Sequence, residues 1–265
     1  MIADKNWQEM IEHGALVDIS VHYLGETGST NQVARALVER GAPTYAVVVA
    51  DSQTEGRGRL GKKWLSPPGT GLYFSIILRP VLPPEDLPKI TLAAGLAVAL
   101  AVEKITDLSL MLKWPNDLLL DGKKLGGILA ETVNLPGEPT AVILGVGLNI
   151  NSPITAFPAD LQDKVTSLLI HTGNEHSRSD LLLSVFTELK KQIQRFERSG
   201  FQGILDDWRK RDATLGKKLN WVSREGRVVL GVSLGPDDYG QLLIRDEKGQ
   251  VHEVLSGDIN LAGKN

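Results

Sequence analysis

Leu92 to Val102 is a run of eleven residues with no charge and no hydrogen-bonding side chain, and it is the feature that most constrains this chain. At 1.5 Å per helical residue the run is too short to cross a bilayer core of about 30 Å, so it predicts a helix buried inside a folded domain. Residues 88–105 read as that helix, and the rest of the chain has to enclose it. With 42% hydrophobic and 23% charged residues among 265, the apolar material for such a core is present. The length exceeds what one core ordinarily serves, which predicts one large domain and a small one.

A formal charge of -3 and a pI near 6.0 give no basic stripe for tracking a phosphate backbone, so DNA is not an expected partner. The chain has no cysteine, which excludes disulfide frameworks, thiolate metal sites and cysteine nucleophiles, and fits a reducing cytoplasm. Met1 to Glu12 carries Asp4, Lys5, Glu9 and Glu12 and no apolar signal core, so a cytoplasmic protein without membrane association is expected.

Periodicity outlines the elements. Residues 4–13 pattern as a short amphipathic helix and 21–24 as a strand running into a Gly25–Gly28 turn. Ser29 and Gln32 have capping-box spacing; Val33, Ala34, Leu37 and Val38 form one stripe, and Gly41 with Pro43 ends the helix. Strands are expected at Tyr45–Ala50, 71–79, Met111–Trp114, Leu118–Leu120, Lys124–Thr132 and Ala141–Ile150, with a type I′ turn at Asp121-Gly122. These assemble most economically as a mixed sheet with helices on one side. After a loop at 151–178 come helices at 179–198 and 201–210. From Gly216 the texture changes to short β-rich runs at Lys218–Val222, Arg227–Leu234, Gln241–Ile244 and Val251–Leu255, a small antiparallel barrel. The expected division is a catalytic domain at 1–212 and a β-barrel at 213–265.

Gly56-Arg57-Gly58-Arg59-Leu60-Gly61, in a Gly-rich loop expected over 51–69, fits a dinucleotide-binding fingerprint only superficially. No helical periodicity follows the third glycine, and no acidic residue lies between Glu55 and Glu85 to hold a ribose. A P-loop reading of Gly56 to Lys62 fails because Lys63 stands where Ser or Thr should bind magnesium. What remains is a loop in which Arg57, Arg59, Lys62 and Lys63 supply cations between flexible glycines: either a cover for an anion or a solvated surface loop. Lys113-Trp114-Pro115-Asn116-Asp117 ends a strand with two polar residues aimed out of the sheet end. Beyond it, Lys124 precedes Gly126-Gly127, where a ligand or another backbone can approach closely.

Five segments together resemble the motifs of biotin protein ligases in order and spacing: Gly28 to Asn31, Gln53 to Arg59, Lys113 to Asp117, Lys124 to Ile128, and Gly145 to Asn149. The resemblance covers about residues 25–150, and the β-rich C-terminus is a further match. It implies a class II aminoacyl-tRNA-synthetase-like catalytic domain followed by an SH3-like domain, an α+β fold.

Carried over motif by motif, the resemblance implies that Ser29, Thr30 and Gln53 hydrogen-bond the biotin head group, with Asn31, Gly58 and Gly127 in the same pocket. A ureido ring offers one carbonyl and N–H donors, which hydroxyls and a carboxamide can match. Ser29 reads equally as a helix cap. Lys124 would meet the biotin carboxylate and the α-phosphate. Arg57 and Arg59 would neutralise phosphate and adenylate, Trp64 would cover the nucleotide, and Lys113, Asn116 and Asn149 would contact the adenylate. Asp117 would orient magnesium or the incoming lysine. The implied substrates are biotin and ATP with Mg2+, and no protein-borne metal site is expected. The implied partner is a biotin carboxyl carrier domain of a carboxylase; a homodimer is left open. A lipoate ligase of the same fold is the nearest enzyme alternative. A non-catalytic, biotin-responsive regulator is the other, against which stands the short stretch of 28 residues before Ser29, too little for a winged DNA-binding domain.

Overall fold

The computed structural model describes residues 20–222, 228–255 and 257–261. The helix expected at 4–13 and the Arg227 end of one strand lie outside these residues.

Seven strands make the main sheet: β1 (Val21–Thr27), β2 (Val47–Gln53), β3 (Gly71–Leu78), β4 (Met111–Lys113), β5 (Asp117–Leu120), β6 (Lys123–Val133) and β7 (Ala141–Asn149). Their order is β1-β2-β3-β7-β6-β5-β4, with β1 and β2 parallel and every other neighbour antiparallel. Several expected strand bounds move by a residue or more, most of all along the β1–β2 edge. β1 continues through Gly25, because its backbone pairs with β2 as far as Thr27↔Gln53; β2 correspondingly runs to Gln53. Between β5 and β6 the turn is as expected, with Asp121 at φ 49° and Gly122 at φ 75°, the double positive φ of a type I′ hairpin.

The α-helices among the described residues are α1 (Thr30–Glu39), α2 (Ile90–Thr106), α3 (Leu168–Thr172), α4 (Arg178–Ser199) and α5 (Gln202–Arg209). The apolar run is α2, preceded by a 3-10 turn at Pro84–Lys89 instead of beginning at 88. It is covered all round: Leu72, Phe74, Ile76, Leu144, Val146 and Leu148 of the sheet share its core with Leu189 and Ile193 of α4 and Trp208 of α5. Fully burying each such side chain contributes roughly 1.5–3 kcal/mol.

The expectation of helices on one side of the sheet fails at α1. Its stripe, Ala34 and Val38, packs with Val48, Ile77 and Ile143, the alternate residues of the same strands, and so lies on the opposite face. The loop expected over 151–178 contains α3, capped by Ser167, whose hydroxyl accepts from the Ile170 N–H.

A second sheet of five antiparallel strands follows: β8 (Lys218–Val222), β9 (Val228–Pro236), β10 (Leu242–Asp246), β11 (Val251–Val254) and β12 (Asp258–Leu261), in the order β11-β10-β9-β8-β12. This is the SH3-like unit; β12, four residues near the chain end, went unread in the sequence. Main-chain bonds tie β4 to the segment leading into the second sheet, and one side-chain bond reaches that sheet's β9–β10 turn. Leu112 of β4 donates its N–H to Arg211 O at 2.7 Å and accepts from Ala213 N–H at 2.8 Å, while Trp114 Nε1 donates to Gly240 O at 2.9 Å.

Gly122→Ala should lower stability by about 1 kcal/mol in urea unfolding, with no change in fold. A Cβ there meets nothing within 4 Å, so the cost is the positive φ alone.

Candidate active site

The site lies on the α1 face of the sheet, in a hollow made by missing side chains. Strand register aligns Asp117, Gly127, Gly147 and Tyr73 in one row and Leu129, Gly145 and Ser75 in the next on that face. Nothing larger than glycine fits at two of these positions. A Cβ on Gly145 would lie 2.2 Å from Asn31 Oδ1, and one on Gly147 2.4 Å from Trp64 Nε1. The cavity measures about 290 Å³.

Every residue singled out in the sequence lines this one cavity: Ser29, Thr30, Asn31, Gln53, Arg57, Gly58, Arg59, Trp64, Lys113, Asn116, Asp117, Lys124, Gly127 and Asn149. The structure adds Leu161 and Val165 from the segment before α3, and Gly257 and Ile259 from the second sheet.

One end is uncharged and hydrogen-bonded. Ser29 occupies the N-cap of α1, but its side chain makes no capping bond, so the expected capping box does not form. Thr30 N–H donates to Gln53 Oε1 at 2.9 Å, and Gln53 Nε2 donates to Ser66 Oγ at 2.9 Å, which fixes the carboxamide. Beneath them Ser75, fully buried, lies 2.8 Å from Thr30 Oγ1 and 2.6 Å from Asn31 Oδ1. Asn31 Nδ2 donates to Glu131 Oε2 at 2.7 Å. Neither Ser75 nor Glu131 was noticed in the sequence. The signal was there: Ser75 is the one aliphatic-hydroxyl residue in the otherwise apolar or aromatic Gly71–Leu78, and such a residue in a fully buried strand needs partners.

The other end is cationic. Lys113 to Asp117 makes the expected strand-to-turn transition and forms the tight connection of a hairpin, with a cis Trp114-Pro115 bond and Lys113 registered opposite Asp117. Lys124 reaches the cavity through a bulge. The β5–β6 register slips between Leu118 and Leu119, pairing Leu118 with Gly126 and Leu119 with Lys124, so Leu125 is unpaired. The extra residue turns Lys124 onto the face of Gly127, whose Cβ position is 3.6 Å from Lys124 Nζ. Asp117 Oδ1 holds that ammonium at 2.6 Å, and Lys124's own backbone is anchored to Lys164 O and Thr166 N–H.

Two asparagines proposed for nucleotide contacts each commit one amide proton to the fold. Asn116 Nδ2 donates to Ile128 O at 2.9 Å and Asn149 Nδ2 to Thr166 O at 2.9 Å. The Gly-rich segment, expected as an open loop over 51–69, is partly paired: Gln53 bridges Ser66 and Arg57 bridges Lys63, around a 3-10 turn at Arg59–Gly61. This arrangement brings Trp64 down onto Gly147 and places Lys124 Nζ 5.6 Å from its ring centre, a cation–π contact. The Trp64 indole N–H is buried with no hydrogen-bond partner among the described residues.

An uncharged pocket continuous with a lysine-centred anion site suits a small acid joined to a phosphate-bearing co-substrate. Residues 25–149 match the model of the biotin/lipoate A/B protein ligase family. A Bacillus subtilis protein, bifunctional ligase/repressor BirA, is 35% identical over 233 residues, 88% of this chain and 71% of that one. Biotin--[acetyl-CoA-carboxylase] ligase of Mycobacterium tuberculosis is 34% identical over 241 residues, covering 89% of this chain and 86% of the relative. A structure of biotin protein ligase from Aquifex aeolicus in complex with biotin and ATP superposes with a TM-score of 0.78 at 34% identity, over 91% of this chain and 98% of the other. The chain belongs to the biotin/lipoate A/B protein ligase family, among the biotin protein ligases.

Gly145→Ala should destabilise the chain by roughly 2–3 kcal/mol, measured by denaturant unfolding, because expelling Asn31 leaves Ser75 and Glu131 short of partners. Gly127→Ala, whose Cβ meets the flexible Lys124 side chain at 3.5 Å and the Trp64 ring at an ordinary 3.8 Å, should cost under about 1 kcal/mol in the same assay.

Proposed function

We propose that this chain joins biotin to ATP as biotinyl-5′-adenylate, with release of pyrophosphate, and then transfers biotin to a lysine of a biotin carboxyl carrier domain. The observation that carries the reading is the continuity of the uncharged, hydroxyl- and amide-lined pocket with Lys124 in one cavity. The pocket suits a cyclic urea, whose carbonyl and N–H groups can meet Ser29, Thr30 and Gln53. A dithiolane acid, the substrate of a lipoate ligase, would leave these groups unsatisfied at about 1–3 kcal/mol each.

In the first step a biotin carboxylate oxygen attacks the α-phosphorus as the bond to pyrophosphate breaks. Lys124, aimed by Asp117, sits between the two anions and relieves their repulsion; Arg57 and Arg59 face the phosphates from the paired loop. The unpartnered Trp64 N–H is available to an oxygen of the bound adenylate. Among the described residues no group of three or more His, Asp or Glu could hold a metal ion, and Asp117 is the one acidic residue lining the cavity. Mg2+ would therefore arrive on the ATP phosphates, neutralising their charge. In the second step the neutral amine of the carrier lysine attacks the anhydride carbonyl and AMP leaves. No enzyme nucleophile is needed. Asp117, committed to Lys124 at 2.6 Å, is better placed to position that lysine than to act as a base.

We also place the domain division at 212/213, with the second sheet closing the nucleotide end of the cavity through Gly257 and Ile259. The low net charge supports a protein partner over DNA, and a chain without cysteine fits a cytoplasmic location. No helix among the described residues is long and apolar enough to span a membrane.

Lys124→Gln should lower the rate of adenylate formation by two to three decades, about 3–4 kcal/mol in the transition state, with thermal unfolding little changed. An unchanged rate would remove Lys124 from the chemistry. Arg59→Gly should still make adenylate but release it, read as biotinylation of added serum albumin well above wild type; loss of adenylate synthesis would instead place Arg59 in the first step. Biotin and lipoate offered in parallel to the purified protein should give turnover with biotin alone.

A further inference from the structure

The tip of the Gly-rich segment carries an unsuitable residue for its shape. Arg59 to Lys62 has the geometry of a type I′ turn: Leu60 stands at φ 56° and ψ 33°, Gly61 at φ 75°, and Lys62 N–H donates to Arg59 O at 3.1 Å. Both central positions of such a turn need the left-handed region. Asparagine, aspartate and glycine enter it readily; a leucine does not, because its Cβ crowds the following carbonyl. The two limbs below hold the tip in this shape, through Gly58 N–H to Lys62 O at 2.6 Å and Trp64 N–H to Gly56 O at 2.9 Å. No packing offsets the strain. Leu60 is 45% exposed at the rim of the cavity and belongs to neither apolar core among the described residues.

Strain held in place beside a reaction site points to a contact made with something outside the fold. The first step brings two small molecules that the cavity encloses. The second brings a protein, whose lysine has to enter past this hairpin. Beyond Arg59 an open hollow of about 510 Å³ shares Trp114, Pro115, Ile128 and Leu129 with the cavity, and Leu255, 74% exposed, stands on its border. The apolar surface at the mouth therefore continues outward from the hairpin. Exposed Arg57, Lys62 and Lys63 flank the leucine within the hairpin.

Resting on the biotin reading above, we propose that Leu60 is a docking residue for the carrier domain in the second step. Its side chain seats in an apolar patch of the carrier, and carboxylates bordering that patch meet the flanking cations.

The test compares the full chain with its Leu60→Asn and Leu60→Met variants in three measurements. Single-turnover release of pyrophosphate without carrier reads the first step, and steady-state biotinylation of an isolated biotin carboxyl carrier domain reads the second. Trypsin cleavage after Arg57, Arg59, Lys62 and Lys63 reads the hairpin. Asparagine suits the turn, so Leu60→Asn should be cleaved more slowly than wild type. It should release pyrophosphate within about twofold of the wild-type rate, yet raise the KM for the carrier domain about tenfold or more at unchanged kcat. Leu60→Met keeps the apolar reach and should stay within about threefold of the wild-type KM. An unchanged carrier KM in Leu60→Asn overturns the proposal; if sedimentation then shows altered self-association, the tip serves a second copy instead. Slower pyrophosphate release would make Leu60 part of the ligand cover, and faster cleavage would make it a structural residue of the hairpin; either overturns the proposal. Those outcomes leave adenylate formation intact. A wild-type chain that makes adenylate but transfers nothing to the carrier domain removes this proposal alone, and one that makes no adenylate removes the biotin reading with it.

Discussion

Two-residue alternation along β3, β6 and β7 puts opposite demands on the two faces of one sheet. Leu72, Phe74, Ile76, Leu144, Val146 and Leu148 point one way and close over α2, so the apolar run of that helix has no exposed side to satisfy. The intervening positions, Ser75, Gly127, Gly145 and Gly147, point the other way and leave the hollow in which the site sits. Neither face can change register without exchanging with the other, since a one-residue slip would place glycines in the core and leucines in the cavity. The hollow is therefore held open by the same packing that stabilises the domain.

Chemistry is added to that hollow by local departures from regularity. The bulge at Leu125 rotates Lys124 onto the cavity face, and the tight 113–117 connection brings Asp117 under it. A lysine at an exposed hairpin would be a mobile surface cation; anchored through its backbone and paired at 2.6 Å, this one is pre-positioned for a reaction that consists mainly of bringing two anions together. At the opposite end, buried hydroxyls and amides are ordered before any ligand arrives, so little of the binding energy is lost to arranging them.

Much of this was legible in the chain. The apolar run of α2, the Asp121-Gly122 turn and the motif residues around the cavity could be read from local pattern, because each signal is contained in a few neighbouring residues. What could not be read depends on pairing between distant strands. α1 packs opposite the other helices because of which alternate residues of β2, β3 and β7 meet its stripe, and that register is not a local property. Ser29 has the spacing of a capping box, yet its hydroxyl is not used as a cap. Glu131 and Ser75 carry no motif; only the meeting of β6, β3 and α1 makes them partners of Asn31. β12 was missed because four residues at a chain end have little pattern of their own until β8 pairs with them.

The central claim is that one cavity holds a cyclic urea acid at its uncharged end and ATP at Lys124, so that the two react with each other. Mass spectrometry of the purified chain after incubation with biotin, ATP and Mg2+ tests this directly. The account predicts biotinyl-5′-adenylate and an equal amount of pyrophosphate, both dependent on biotin. ATP cleaved without biotin, or biotin bound with no adenylate formed, would contradict it.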